Sequence, residues 1–354
     1  METTASKASS SKASSAMSEE IEIPLLFTQE YLDSFHKRVG FPKHTRILCK
    51  SEFISWWELK KNTTRSARSK TLEERQHRSS TEKNFMRERE LKVGRALGPL
   101  ICKNIEKGYS DYTLLNVFAG YNDEYDIAVV VDTRVPGNSL TEKRRKIYGF
   151  IISQYGEFKC KPNVFALNLV CANHKSIKND FNDNPSFGRK LVALYLCCVL
   201  RLNDENIHKE CVLELGGGVS NVAAFLTYIR LGFRADLDMF GDKCITDIDS
   251  LPMSIDLTKM DKVTSTLTRS NRPTHPSLEV SIINAATGTH LIQIANETHN
   301  WKQIIKMKDR DAQTEVLKNI EQEYYTQLRP LVEANPESYS SSVRKHFGLG
   351  GSSE

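Results

Sequence analysis

Apolar and polar positions divide the chain into short elements separated by turn residues. Residues 21–27 have the length and pattern of an edge strand. Residues 28–39 carry helical spacing, with Thr28 as the N-cap and Gly40 and Pro42 as the stop. Phe53, Ile54, Trp56 and Trp57 form the next apolar cluster, which reads as packing rather than as a platform for a bound ring. Residues 97–105 fit a helix or a strand equally. Residues 127–131 are an unbroken β-branched run, a buried strand turned by Val135-Pro136-Gly137. Residues 147–154 and 163–172 predict two antiparallel strands with a turn at Tyr155-Gly156-Glu157.

The second half begins with Leu191, Leu194, Tyr195, Cys198 and Leu202, whose spacings of three and four predict a buried helix over 188–202. A strand over 211–215 follows, then Gly216, Gly217 and Gly218 break regular structure. Ser220 or Asn221 can cap a helix over 222–231, Gly232 sits where a left-handed residue ends one, and Phe233 opens another strand. Residues 251–257 read as a last strand of this unit. Residues 278–283 and 289–295 read as a β-hairpin around Asn284–Gly288. Residues 311–332 are the clearest amphipathic helix, with Val316, Leu317, Ile320, Tyr324, Leu328 and Leu331 on a face expected to dock on the domain.

Composition narrows the class. With 354 residues, 39% of them apolar and 26% charged, the chain can bury a core and still carry polar appendages. No apolar run approaches the roughly 18 to 20 residues of a membrane span, and no apolar segment near Met1 suits secretion. The expectation is therefore an intracellular, cytoplasmic protein with no membrane partner. Eight scattered cysteines without a C-x-x-C pair read as reduced, mostly buried thiols, and the nine histidines supply no zinc-type spacing, so no metal is expected. Residues 60–95 hold twelve Lys or Arg against five Glu. That reads as a solvated linker; a grip on nucleic acid is the second reading. Lys143–Lys146 is a second basic cluster, either a surface hairpin or a nuclear import signal.

The stretch from Glu210 to Asp236 carries the chemistry. Asn221, Ala224, Tyr228, Gly232 and Phe233 form an N-x-x-A-x-x-x-Y-x-x-x-G-F pattern that resembles the fourth helix of the GCN5-related N-acetyltransferase (GNAT) superfamily, and Leu213-Glu214-Leu215 resembles its fifth strand. Residues 163–172 resemble its fourth strand, and Gly188-Arg189-Lys190-Leu191 the start of its third helix. The resemblance implies an α+β fold: a mixed, mostly antiparallel central sheet flanked by helices over 96–260. It would carry an N-terminal helical and basic extension (21–95), a C-terminal extension (261–336), a disordered tail (1–20) and a flexible one (337–354).

It also implies acetyl-coenzyme A as cofactor and an amine, on a small molecule or a protein, as acceptor. Backbone groups of Leu169, Val170 and Cys171 would pair with pantetheine. Ser186, Phe187, Gly188, Arg189 and Lys190 would hold the diphosphate where the helix start presents unpaired N–H groups and a favourable dipole. Asn221 would bind the pantetheine amide, and Tyr228 would be the general acid to the leaving thiolate. No general base stands out among Glu214, Asp126 and Glu157, and Asn168 cannot take a proton.

Asp183 and Ser186 depart from the Arg or Gln and the middle glycine of the family's phosphate loop. They keep open a non-catalytic binding module that works through its basic segment or its terminal helix. A class I methyltransferase is the third reading. Glu214, Gly216, Gly218 and Ser220 approach its glycine loop, and Asp236 or Asp238 could hold a ribose. It would need some four further strand–helix alternations after Phe233, and the sequence there does not alternate in that way.

Overall fold

The computed structural model describes residues 25–58, 125–134, 146–159, 161–173, 186–202, 207–240, 247–260, 277–288, 290–294 and 297–349, together with Ile177 and Ile245. The basic segment 60–95, the apolar run 97–105, most of the second basic cluster and Asp183 lie outside these residues.

Seven strands form one sheet. They are β1 (Thr45–Cys49), β2 (Tyr125–Asp132), β3 (Ile147–Phe158), β4 (Lys161–Ala172), β5 (Glu210–Gly216), β6 (Arg234–Ala235) and β7 (Ser250–Asp256), in the order β1-β2-β3-β4-β5-β7-β6. Neighbours are antiparallel except β4 and β5, which are parallel. The mixed, mostly antiparallel α+β sheet flanked by helices is thus the fold expected from the resemblance. A doubly wound parallel sheet is absent among the described residues, which removes the methyltransferase reading.

The helices follow from local sequence. They are α1 (Gln29–Arg38), α2 (Lys50–Glu58), α3 (Phe187–Leu200), α4 (Val222–Arg230), α5 (Leu278–Thr287), α6 (Trp301–Lys306), α7 (Arg310–Ala334) and α8 (Ser341–His346). α3 is apolar nearly all round and accordingly buried, with Leu191, Leu194 and Tyr195 in the main core. α4 ends as its sequence predicts. Gly232 has φ +96°, and the Phe233 N–H reaches the Tyr228 carbonyl at 3.0 Å, a Schellman closure. On the other sheet face, Phe53, Trp56 and Trp57 of α2 pack over Ile127, Val129 and Ile152, confirming a packing role for the two tryptophans. The second half of α7 and α8 cover Val164, Ala166 and Val212 on that side.

Several expectations are corrected. Leu25, Leu26 and Phe27 are not in a strand, because the Phe27 N–H is taken by the Asp126 carboxylate at 2.8 Å instead of a strand partner. Residues 29–58, placed in an appended extension, contribute β1 to the sheet, with α1 and α2 packed against it. The β3–β4 turn lies at Lys159, with φ +59°, and not at 155–157. Tyr155 stays in the strand because its ring packs 4.6 Å from Phe165, and Gly156 marks a register shift. Residues 278–287 form a helix rather than half of a hairpin. Ser277 caps it by accepting from the Val280 N–H, and Leu278, Ile282, Ala285 and Ala286 share a helical face against the core.

On α7 the buried positions are Gln313, Leu317, Ile320, Tyr324, Leu328 and Val332; Leu331 is exposed and Val332 takes its place. The tail through Leu349 is ordered rather than flexible, because Val343 and Phe347 bury against the sheet-side cluster. Cys49, Cys197, Cys198 and Cys211 are free, but Cys171 is disulfide-bonded, against the expectation of reduced thiols throughout. No helix among the described residues is long and apolar enough to cross a membrane.

Candidate functional site

The parallel pair β4/β5 is joined at only two positions, Phe165↔Cys211 and Ala166↔Val212. Beyond them both strands continue, β4 to Ala172 and β5 to Gly216, without pairing with each other. The reason is local. The β3–β4 register shifts between Ile152, opposite Leu169, and Ser153, opposite Leu167, so Asn168 is an extra residue in β4. Such a bulge bends and twists the strand that carries it. It also exchanges the faces: Val164 and Ala166 share a side with Leu169 and Cys171. The β4 backbone groups that face β5 beyond Ala166 are left without a strand partner. Leu169, Val170 and Cys171, predicted to meet pantetheine, lie in this stretch.

Two helices open from the parted ends. α3 starts after β4 and α4 after β5, and they pack against each other. Ser186 and Asn221 occupy the N-cap positions without accepting from the first turn. Asn221 is exposed, so its amide is not spent on capping.

The predicted phosphate residues separate into two groups. Gly188 has open space where a side chain would project, and Arg189 is half-buried beside it. The Arg189 Nε is buried without a hydrogen-bond partner, and no carboxylate pairs with this guanidinium among the described residues. Burial, with the nearby Arg230, lowers it to about 10. Arg230 lies in the last turn of α4, two residues past Tyr228, and burial also lowers its pKa. Two guanidiniums therefore share one region with no carboxylate pairing either among the described residues, Arg230 donating only to the Gly288 carbonyl at 3.2 Å, an arrangement that suits an anion.

The Phe187 and Lys190 side chains are engaged elsewhere. The Phe187 ring is buried edge-on to Phe41 at 5.7 Å, so only its backbone can meet a ligand. Lys190 turns away, with Nζ 5.1 Å over the Phe41 ring and 3.5 Å from the Gly40 carbonyl. Burial, and then Arg189, lower its pKa. Its charge is spent on α1 and the loop after it. The Ser186 side chain is buried as well.

Tyr228 is half-buried on α4, its ring edge-on to Phe233 at 5.7 Å, and its hydroxyl has no hydrogen-bond partner among the described residues. Burial pushes that hydroxyl up to about 12. It therefore stays protonated through neutral pH and can give a proton.

The candidate bases are engaged or exposed. Asp126 accepts from the Phe27 and Ile127 N–H groups at 2.8 Å each, and burial raises its pKa. Glu214 pairs with Lys159 at 3.2 Å, and Glu157 is exposed on β3. Asp236 is held by Lys161. Sequence reasoning missed Arg230, although its place two residues after the tyrosine was visible. It also missed the bulge at Asn168, which leaves no signature in hydrophobic pattern.

No family model matches the chain, and no curated protein matches it. Among solved structures, a chimeric spermidine N-acetyltransferase from Vibrio cholerae is similar at 17% identity over 48% of this chain and 91% of that one, with a TM-score of 0.31. A GNAT-family acetyltransferase from Staphylococcus aureus is similar at 17% identity, over 51% and 96%, with a TM-score of 0.30. An acetyltransferase from Thermus thermophilus is similar at 9% identity, over 50% and 91%, with a TM-score of 0.27. Scores of this size carry no argument; the fold assignment stands on the strand order and the parted β4/β5 pair.

Proposed function

We propose that this chain is an acetyl-coenzyme A-dependent N-acetyltransferase acting on an amine of a small molecule or a protein. The observation that carries the reading is the parting of β4 and β5, which pair only at Phe165–Cys211 and Ala166–Val212, with the N-cap residues of the following helices α3 and α4 making no cap hydrogen bond. The residues present fit the cofactor. The orphaned Nε of Arg189 and the open backbone at Gly188 suit a diphosphate, and the unpaired β4 backbone suits the amides of pantetheine.

When bound, acetyl-coenzyme A supplies an acyl group activated as a thioester. The protein's share is positioning and proton delivery. Leu169, Val170 and Cys171 offer backbone groups along one side of the cleft, and N–H donors there polarise a carbonyl placed against them. Asn221 offers its amide from the mouth of α4. Tyr228 would offer its hydroxyl proton to the leaving thiolate of the bound cofactor; burial holds this phenol at about 12, above an ordinary thiol, so the transfer runs uphill unless the thiolate forms in an apolar setting that raises its own proton affinity. An acceptor amine must reach the thioester uncharged, and two of the candidate bases, Asp126 and Glu214, are engaged elsewhere.

Calorimetric titration with acetyl-coenzyme A, with S-adenosylmethionine in parallel, tests the proposal. Micromolar binding of acetyl-coenzyme A alone supports it. Binding of neither leaves the fold as a non-catalytic module, a reading that Lys190's diversion to Phe41 favours.

A further inference from the structure

Two polar residues stand on either side of the place where the strands part. Asn168 lies two residues past Ala166 on β4, and Glu214 two residues past Val212 on β5, so they hold matching positions just beyond the last β4/β5 pair. Both face the same way. Ala166 and Val212 share the sheet side away from α3, and strand alternation puts Glu214 on it with Val212. The Asn168 Nδ2 donates to Gln154 Oε1 at 3.3 Å, and Gln154 follows Ile152 on that same side.

Each residue keeps an acceptor oxygen that the protein does not use. The Asn168 Oδ1 is buried and accepts no hydrogen bond among the described residues. A buried acceptor without a donor is a standing cost that a ligand can remove. Asn168 itself is only partly buried, and its bond to Gln154 is long, so little resists a turn of the amide towards an arriving donor. The Glu214 side chain is 25% exposed, with Oε2 3.2 Å from Lys159 Nζ. That ion pair occupies one carboxylate oxygen and leaves Oε1 as an acceptor.

We propose that Asn168 and Glu214 seat the acceptor nitrogen and select a primary amine. An uncharged primary amine has two N–H donors, one for the Asn168 amide oxygen and one for Glu214 Oε1. Its lone pair then belongs to neither bond and stays free to attack. A secondary amine has a single N–H, so it leaves one of the two acceptors unpaired, and a polar site rejects an analogue that lacks a donor. The acceptor role of this seat rests on the acetyltransferase reading; the binding of a primary amine does not.

Fluorine NMR on the full chain without cofactor tests the seat. The probes are trifluoroethylamine, which its fluorines keep uncharged at neutral pH, and the N-methyl derivative. The primary amine should bind about tenfold more tightly than the secondary one, the scale of one hydrogen bond. Asn168→Leu, similar in size but without an acceptor, should weaken the primary amine about tenfold and erase the preference. Should Asn168→Leu fail to fold, Glu214→Leu, at a partly exposed position, should erase it as well. Equal binding of the two amines by wild type, binding of neither, or a preference that persists in a folded variant overturns the proposal.

Butylamine and a lysine-bearing peptide then compete for the bound probe. Displacement by both supports a protein lysine as acceptor, displacement by butylamine alone supports a small amine, and displacement by neither overturns the seat. Acetyl-coenzyme A is titrated separately. A chain that binds the primary probe but no acetyl-coenzyme A keeps the seat and removes the acetyltransferase reading. One that binds acetyl-coenzyme A and shows no amine preference keeps that reading and overturns the seat.

Discussion

The hydroxyl of Tyr195, fully buried on α3, donates a 2.6 Å hydrogen bond to the backbone carbonyl of Phe165 on β4. Phe165 forms the first of the two β4/β5 pairs, so this bond ties α3 to the sheet just before the strands part. It fixes the distance between the start of α3 and the unpaired length of β4. Tyr195→Phe should lower stability by about 1–2 kcal/mol, since a buried carbonyl loses its partner. It should also weaken acetyl-coenzyme A binding more than the loss of stability alone explains. Denaturant unfolding and calorimetry on the same preparation check both; an effect on stability only would mean the bond does not shape the cleft.

Arg189 gives a sharper test of the anion site. Its guanidinium is half-buried and close to Arg230, and its Nε has no hydrogen-bond partner among the described residues. Arg189→Gln should weaken acetyl-coenzyme A by about 10- to 100-fold, the range for a charge-assisted bond to phosphate. The same variant should bind a truncated acetyl-pantetheine thioester, which lacks the diphosphate, as well as wild type does. Equal losses for both compounds would place Arg189 outside the phosphate region. Relief of the Arg189–Arg230 repulsion should leave the variant's melting temperature unchanged or slightly raised.

Tyr228 separates chemistry from binding. Tyr228→Phe removes only the hydroxyl, which has no protein partner to lose among the described residues. Turnover should fall by about 100-fold, the usual lower scale of general acid catalysis, with the Kd for acetyl-coenzyme A within about twofold. Because burial holds the hydroxyl at about 12, no falling alkaline limb from Tyr228 should appear in a rate profile between neutral pH and the alkaline end of the stable range. A turnover that survives the substitution would make this tyrosine a packing residue against Phe233.

These expectations draw unequally on the sequence. The helix spacing around Leu191 and Tyr195, the Asn221–Phe233 pattern and the glycine stop at 232 were legible because each is a local preference that the fold also obeys. The β-branched run before Asn284 was misread, since Val280, Ile282 and Ile283 suit a strand equally well. Only the Ser277 cap and the place of Ala285 and Ala286 on the core side decide for a helix. The bulge at Asn168 is a relation between two strands, so no pattern within one strand reveals it. For the same reason Lys190 looked like a phosphate ligand from its position after Arg189, whereas Phe41, 149 residues earlier, claims its charge. Where a side chain points depends on neighbours that the sequence does not bring together.

The far edge of the sheet allows a prediction that owes nothing to the cleft. Asp132, at the end of β2, is 1% exposed and takes hydrogen bonds from Arg134 and Lys146. Burial pushes its carboxyl up, but these partners outweigh burial and hold it at about 2, below the ordinary 3.8. The folded state therefore binds this proton less readily than the unfolded chain. The charged form contributes stability that is complete above pH 4 and is lost as pH falls from 3.8 towards 2, amounting to about 2 kcal/mol. Asp132→Asn should be less stable than wild type at neutral pH, because it leaves Lys146 and Arg134 without their anion, and the two proteins should converge in acid. Urea unfolding of both at pH 7, 4 and 2.5 measures the difference. Parallel curves, with the same gap at every pH, would show that Asp132 contributes shape rather than charge at this edge.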